Sequence, residues 1–376
     1  MLPGHRSGRS RGDGRFLFPV VGAVTGLLIF LACSFILPSG AGDAGGAEVG
    51  MVRVLAPGLS VVAGDGSARV SWTALAGVRG PRYVVAAVPG NTALPQSGCV
   101  TTALSCRIGG LADGVTYTVR LDAGDAAGAV APPAWAEVTP YPAVLTSAAA
   151  ALWLDADGIP AAAGTPVSFW PDGSGQGNNA RQAQGGNQPV LSALGSHKAV
   201  RFSGSQNLLL DGDRLPSGAT PSVIFAVAQL DDPRAAADCF DHILAWGTNQ
   251  TGEGRMIYKG CSTTLAYAET FNTYPLMHPR YAWPRGKPVL VTAEISGSGV
   301  SVWMDGSLDY SWRNPPGVVT DTRPQETAMV GGAPWWGDSY GWAGLIGEIV
   351  VLSGNVSAGS VRAVDEYLLR KWGIPA

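Results

Sequence analysis

Two stretches gather the side chains best suited to holding a ligand. Pro334-Trp-Trp-Gly-Asp-Ser-Tyr-Gly-Trp342 sets Trp335, Trp336 and Tyr340 around Asp338 in a Gly-rich segment. Sugars are held by aromatic faces against their C–H surfaces, with carboxylates taking the hydroxyls, so this spacing points to a carbohydrate platform. A second aromatic stretch, Asn272 to Trp283, adds Tyr281 and Trp283. Trp and Tyr also fill cores. Trp342, beside an apolar run, reads as such a residue, whereas Trp335 and Trp336 in an extended segment cannot both face inward.

Oxygen donors for a hard cation come from Asp155 and Asp157 in Asp-Ala-Asp-Gly, and from Asp172 and Asn178 in Asp-Gly-Ser-Gly-Gln-Gly-Asn. Ca2+ takes such ligands and is the cofactor they suit. The same residue types build tight turns on their own backbone. Glu253, Glu269, Glu294, Glu326, Glu348 and Glu366 stand apart from one another. His197, His242 and His278 fit no Ser/His/Asp or metal spacing, so no catalytic residue is assigned.

Strands must position these loops. The 376 residues are 14% charged and 46% hydrophobic, an ordinary globular mixture, but 52 Gly and 27 Pro with little helical periodicity favour turns and strands. A net charge of −3 gives no field for nucleic acid, which is excluded as a partner. Leu345, Ile346 and Ile349 to Leu352 form a near-continuous apolar run, as a strand covered on both faces would. Ser357 then caps a helix whose Val361, Val364 and Leu368 share a face, with Gly373 as the stop.

Arg6, Arg9, Arg11 and Arg15 precede about 22 uncharged, mostly apolar residues ending at Leu37, enough to cross a bilayer. The arginines keep their own side cytoplasmic, which exports the rest. Cleavage near Ala41, as from a signal peptide, is the alternative. In an oxidising compartment Cys99 pairs with Cys106 and Cys239 with Cys261.

Between 56 and 140, apolar/polar alternation in short runs broken by Gly and Pro reads as a small β-sandwich. Trp72, Tyr83 and Leu111-Ala-Asp-Gly-Val-Thr-Tyr117 resemble a fibronectin type III domain, which implies a tyrosine corner and a spacer or adhesive module. Roughly a dozen strands follow in about 225 residues, too many for one open sheet. Leu152-Trp-Leu-Asp-Ala, Trp170-Pro-Asp-Gly-Ser-Gly-Gln-Gly-Asn-Asn-Ala, Val200-Arg-Phe-Ser-Gly and Ile346-Gly-Glu-Ile-Val-Val resemble a laminin-G-like, concanavalin A-like jelly roll of bacterial surface proteins. That resemblance brings glycosidases with it, but the Glu-x-Asp-x-Glu strand of glucanase members is missing. Two carboxylates about 5 to 9 Å apart in a cleft would mark an enzyme all the same.

The expected chain is all-β: a basic stretch at 1–15, a membrane or signal segment at 16–37, a tether at 38–55, the small domain at 56–140, a linker at 141–150 and the jelly roll with its short helix at 151–376. The expected function is non-catalytic, extracytoplasmic recognition of a glycan or surface polymer, with the small domain as spacer. The alternatives are an assembly component that binds another surface protein, and a degenerate glycoside hydrolase.

Overall fold

The computed structural model describes residues 57–78, 80–90, 95–125, 128–210, 214–231, 240–260, 266–270, 281, 283–323, 328–335 and 340–376. The arginine-rich start, the segment at 16–37 and the tether lie outside them. Among the described residues no helix is long and apolar enough to cross a membrane.

The first sandwich is built from β1 (Leu59–Gly64), β2 (Ser67–Trp72), β3 (Arg82–Pro89), β4 (Ser97–Thr101), β5 (Ser105–Gly109), β6 (Tyr117–Asp125), β7 (Gly128–Ala129) and β8 (Ala134–Val138). One sheet runs β1-β2-β5; the other runs β4-β3-β6-β7, with β8 also on β6. Alternation decides which side chains enter: Tyr83, Val85 and Ala87 of β3 are buried with Val70, Trp72, Tyr117, Val119 and Leu121. Tyr117 Oη accepts from the Ala112 N–H at 3.0 Å and donates to Gln96 Oε1 at 2.8 Å, tying the corner to its own backbone. The Cys99–Cys106 disulfide joins β4 to β5 across the two sheets. Cys239 and Cys261 lie outside the described residues.

The second sandwich holds β9 (Ala150–Asp155), β10 (Phe169–Trp170), β11 (Ala180–Arg181), β12 (Val190–Leu194), β13 (His197–Ser203), β14 (Leu208–Leu210), β15 (Ser222–Leu230), β16 (Asp241–Gly247), β17 (Gly254–Lys259), β18 (Ala266–Thr270), β19 (Pro288–Ser296), β20 (Gly299–Met304), β21 (Ser307–Arg313), β22 (Ala328–Val330) and β23 (Ala343–Ser353), then α1 (Ala358–Lys371). A seven-stranded sheet runs β10-β11-β14-β22-β16-β17-β18. The eight-stranded sheet runs β12-β13-β23-β15-β19-β20-β21. Its eighth member, β9, pairs with the second half of β23, beyond the part that pairs with β13.

β23 is apolar throughout because both its faces are covered. Ile346, Ile349 and Val351 enter the core between the sheets, while Leu345, Val350 and Leu352 meet α1. A bulge at Gly347 resets the alternation and brings Glu348 to the helix side. A Cβ on Gly347 would run into the Trp372 indole, so the helix end can seat here only over glycine. Ser357 Oγ accepts from the Ser360 N–H at 3.1 Å, and Gly373 turns out of the helix with φ +62°.

The stretch at 141–150 is packed rather than loose. Leu145 is fully buried with the helix-side cluster, and the Tyr141 ring lies 4.8 Å from that of Trp153. The small sandwich also touches α1, where Gly114 (φ +80°) presses on the helix backbone and Arg370 reaches the Asp113 carbonyl at 3.4 Å.

Candidate functional site

The aromatic stretches become mostly packing. Trp342 is fully buried, its ring 5.1 Å from Trp283, and its indole N–H donates to the Leu345 carbonyl at 3.3 Å. Trp283, put forward for sugar binding, is therefore a core residue, because it fills the inter-sheet space beside Trp342. Tyr281 is half-buried and its hydroxyl donates to Asp305 Oδ2 at 2.8 Å. Trp335 is partly buried against Met256 and Tyr258 on the outer side of the seven-stranded sheet. Tyr340 sits edge-on to Phe240 at 5.9 Å. Beneath them His242 stacks on Tyr258 at 5.1 Å, and burial pushes its imidazole down to about 4, leaving it neutral. Trp336 and Asp338 lie outside the described residues.

Of the proposed calcium donors, Asp155, Asp157 and Asp172 are taken up by protein groups, while the buried Asn178 Oδ1 has no hydrogen-bond partner. Asp172 Oδ1 accepts the N–H groups of Trp153 and Ser174, and Oδ2 accepts from Ser174 Oγ and the Asn178 N–H. Asn178 Nδ2 donates to the Ala151 carbonyl at 2.7 Å. This loop builds itself and pins β9. Asp155 and Asp157 serve a different cluster, and among the described residues no group of three or more His, Cys, Asp and Glu has metal-binding geometry.

That cluster surrounds Glu348, which is fully buried. Its Oε1 accepts from Trp153 Nε1 at 2.7 Å and Tyr367 Oη at 2.9 Å; its Oε2 accepts from Lys371 Nζ at 2.9 Å and Trp372 Nε1 at 3.0 Å. Lys371 also meets Asp155 at 2.7 Å and Asp157 at 3.5 Å. Asp157 in turn holds His197 Nδ1 at 2.7 Å and the Lys198 N–H at 2.8 Å. Burial presses on the Lys371 ammonium, but the three carboxylates hold it above the usual lysine value. Burial and then the Glu348 charge push Asp155 up to about 6. Asp157 falls to about 2, because its His197 bond, the Lys371 charge and the Lys198 N–H outweigh burial. The donors fill both oxygens of Glu348, so this is a clamp between β9, β23 and α1, with no acceptor left to offer.

A second acid pair lies on the same face in the open. Val300, Val302 and Met304 of β20 enter the inter-sheet core, so Ser301 and Trp303 point the other way. Pairing sets Ser301 beside Glu294 and Ser311, and Trp303 beside Thr292 and Leu308. α1 covers this face over β23 and β15 and ends its cover at β19. Beyond it lies a groove of about 440 Å³, lined by Glu294, Ser296, Ser301, Ser311, Trp312 and Arg313. The buried indole N–H of Trp312 has no acceptor there. On the helix side, Asp365 Oδ1 accepts from Thr292 Oγ1 at 2.6 Å. Burial pushes the Asp365 carboxyl up to about 6 against that hydrogen bond, and the charges of Glu294 and Glu366 add to it.

The sequence reading missed this groove. Its signal was the two-residue alternation itself: Trp303 falls in phase with Ser301, and Glu294 in phase with Thr292 and Ser296. Asp365 had no local signal, being joined to Thr292 from 73 residues away.

No family model matches the chain, and no curated protein matches it. Solved structures similar to it include an arabinofuranosidase complexed with arabinofuranosyl-alpha-1,2-xylobiose, at 20% identity over 55% of this chain and 51% of that one, TM-score 0.41. Domain 4 of a GH43 extracellular arabinanase from Geobacillus stearothermophilus, in complex with arabinotriose, matches at 14% identity over 58% of this chain and 98% of that one, TM-score 0.39. A Trypanosoma rangeli sialidase with sialic acid matches at 11% identity over 83% of this chain and 53% of that one, TM-score 0.41. The chain thus spans about half the length of the arabinofuranosidase and of the sialidase. These neighbours correct two expectations: a non-catalytic adhesive role and the exclusion of an enzyme do not stand beside a set containing glycosidases. At these identities and TM-scores the likenesses place no active site on this chain.

Proposed function

We propose that this chain is a carbohydrate-active protein whose sugar site is the open sheet face that carries Trp303 and the neighbouring groove. The observation that carries this reading is one open sheet face bearing Trp303 and exposed Leu308 together with Glu294, Ser301, Ser311 and Arg313. An aromatic face takes the C–H side of a pyranose or furanose, and hydroxyl, carboxylate and guanidinium groups take its hydroxyls. A volume of about 440 Å³ falls in the range of small-molecule sites. The fibronectin type III resemblance of the small sandwich, the laminin-G-like resemblance of the large one and export through the segment at 16–37 belong to the same proposal.

Affinity electrophoresis of the full chain through gels containing arabinan, arabinoxylan, β-glucan or pullulan tests it. At least one polymer should retard the chain, and Trp303→Ala should abolish the retardation with circular dichroism unchanged. Unaltered mobility in all four gels, or retardation that survives Trp303→Ala, rejects this face as the sugar site.

A further inference from the structure

We propose that the outer face of the β1-β2-β5 sheet is a second saccharide site, which takes a uronic-acid unit with its carboxylate held between Arg69 and Arg107. The inference rests on the reading that the chain binds saccharides and goes beyond it, because it gives the small sandwich a ligand of its own. Val61, Ala68, Val70, Cys106 and Ile108 face the core of that sandwich, so Val62, Arg69 and Arg107 point outward. Pairing sets Val62 beside Arg69 and Arg69 beside Arg107, in one row across the three strands. The next row on one side is Ser60, Ser71 and Ser105, all exposed. On the other side it is Gly64, Ser67 and Gly109, whose small size leaves room over the sheet. A groove of about 580 Å³ opens on this face, and its lining includes Val62, Asp65, Ser67, Arg69, Ser105 and Arg107.

Like charges set directly opposite on neighbouring strands repel each other and weaken the pair. Both guanidiniums are exposed; Arg107 Nη2 donates to Ser67 Oγ at 2.9 Å, and among the described residues no carboxylate forms an ion pair with either arginine. The acid of the groove, Asp65, stands in the turn between β1 and β2, where its carboxyl bears on that of Asp113. An anion between the two arginines removes their repulsion and gains charge-assisted hydrogen bonds, and a planar carboxylate matches the guanidinium fork. The rest of the face suits a sugar acid. Ser67 and Ser105 offer hydroxyls beside the guanidiniums, and Val62, 61% exposed, offers an apolar contact to ring C–H groups. Extended peptides dock at sheet edges, where backbone groups are free, whereas this site lies over a face. The chain carries a net charge of −3, so it has no general field for polyanions and the attraction is local to this pair.

The test is affinity electrophoresis of the full chain through gels containing polygalacturonate, with methyl-esterified polygalacturonate and poly-L-glutamate in parallel gels. Polygalacturonate should retard the chain. The ester, which lacks the charge, and polyglutamate, which lacks the rings, should each bind at least about tenfold more weakly. Arg69→Gln and Arg107→Gln should each weaken retention on polygalacturonate at least about tenfold with circular dichroism unchanged, since both side chains are exposed. Trp303→Ala should leave that retention as it is. Free migration through polygalacturonate, or retention that survives both arginine substitutions, overturns this inference and leaves the Trp303 face standing, because the neutral gels read that face. Equal retardation by polyglutamate overturns it too, since charge alone would then be recognised. Retention lost in Trp303→Ala moves the uronate to the large sandwich and overturns the site proposed here. Free migration through the four neutral gels with retardation by polygalacturonate removes the Trp303 face and supports this one.

Discussion

The helix-facing side of the eight-stranded sheet carries two acid clusters with opposite fates. Around buried Glu348, three carboxylates, a lysine, two indoles, a phenol and a histidine gather, and both oxygens of the deepest acid are filled. Around Asp365, the half-buried carboxyl accepts from a single hydroxyl, with burial and then the charge of exposed Glu294 in the groove raising its pKa and no cation acting on it. Burial alone does not separate structure from chemistry here. What separates them is whether donors saturate the acid: a filled carboxylate locks elements together, while a half-buried carboxyl without a cation keeps a proton to give.

The largest test removes the cation of the locked cluster. Lys371→Met leaves Glu348 and Asp155 buried without their ammonium, and breaking such a pair from one side costs about 3–5 kcal/mol. Chemical denaturation at neutral pH should show this loss, with α1 released from the sheet. A loss below about 1 kcal/mol would mean that the indole and phenol donors hold Glu348 unaided. Trp153→Phe probes that share directly, because it removes only the 2.7 Å indole bond. A hydrogen bond to a charged acceptor contributes about 1.5–3 kcal/mol, which is the destabilisation expected from the same denaturation curve.

The open cluster responds in the opposite direction. Asp365 is raised from 3.8 to about 6, so the native state binds its proton more tightly than the unfolded chain does. That contribution is complete below about pH 4 and is lost as pH climbs towards 6 and past it. Asp365→Asn keeps an acceptor for Thr292 and removes the charge. It should therefore match the parent in stability near pH 4 and exceed it by about 1 kcal/mol at pH 8, a value discounted for the partial exposure of the carboxyl. Equal pH–stability curves for the two proteins would place Asp365 with the saturated acids instead.

The sequence foretold the locked side far better than the open one. The β23 run, the Ser357 cap and the Gly373 stop were legible because local chemistry decides them. Asp155 was noticed in its loop and Glu348 in its strand, but the chain gives no sign that Lys371 and Trp372 would close over both. Only the Gly347 bulge turns Glu348 to the helix, and a bulge is invisible in a run of apolar residues. Trp335 and Tyr340 drew notice through composition, whereas Trp303 was passed over inside an ordinary strand. Aromatic density marks where rings gather, and rings gather most where they pack on each other, as Trp283 and Trp342 do. A binding face needs its ring in phase with polar neighbours, and that phase becomes telling only once the partner strands are known.

The smallest effect sharpens the contrast through salt. Glu366, next to Asp365, is held by Arg362 Nε at 2.8 Å and Arg370 Nη2 at 2.7 Å on the exposed side of α1. Removing Arg362 should cost only about 0.3–0.5 kcal/mol, as exposed i,i+4 pairs do. Its electrostatic consequence reaches further than its energy. With one guanidinium gone, more of the Glu366 charge bears on Asp365, so the Asp365 midpoint should rise by a few tenths of a pH unit. Carboxyl-carbon NMR of Asp365 in Arg362→Ala would read that rise at low ionic strength. At 1 M salt the screening length shrinks to about 3 Å and the rise should vanish. Glu348 and Lys371 of the clamp are buried and directly bonded, so the clamp should hold its stability at both salt concentrations. An Asp365 midpoint indifferent to Arg362 would mean that burial and the Glu294 charge raise it without Glu366, and Asp365 would then have no electrostatic link to the outer face of the helix.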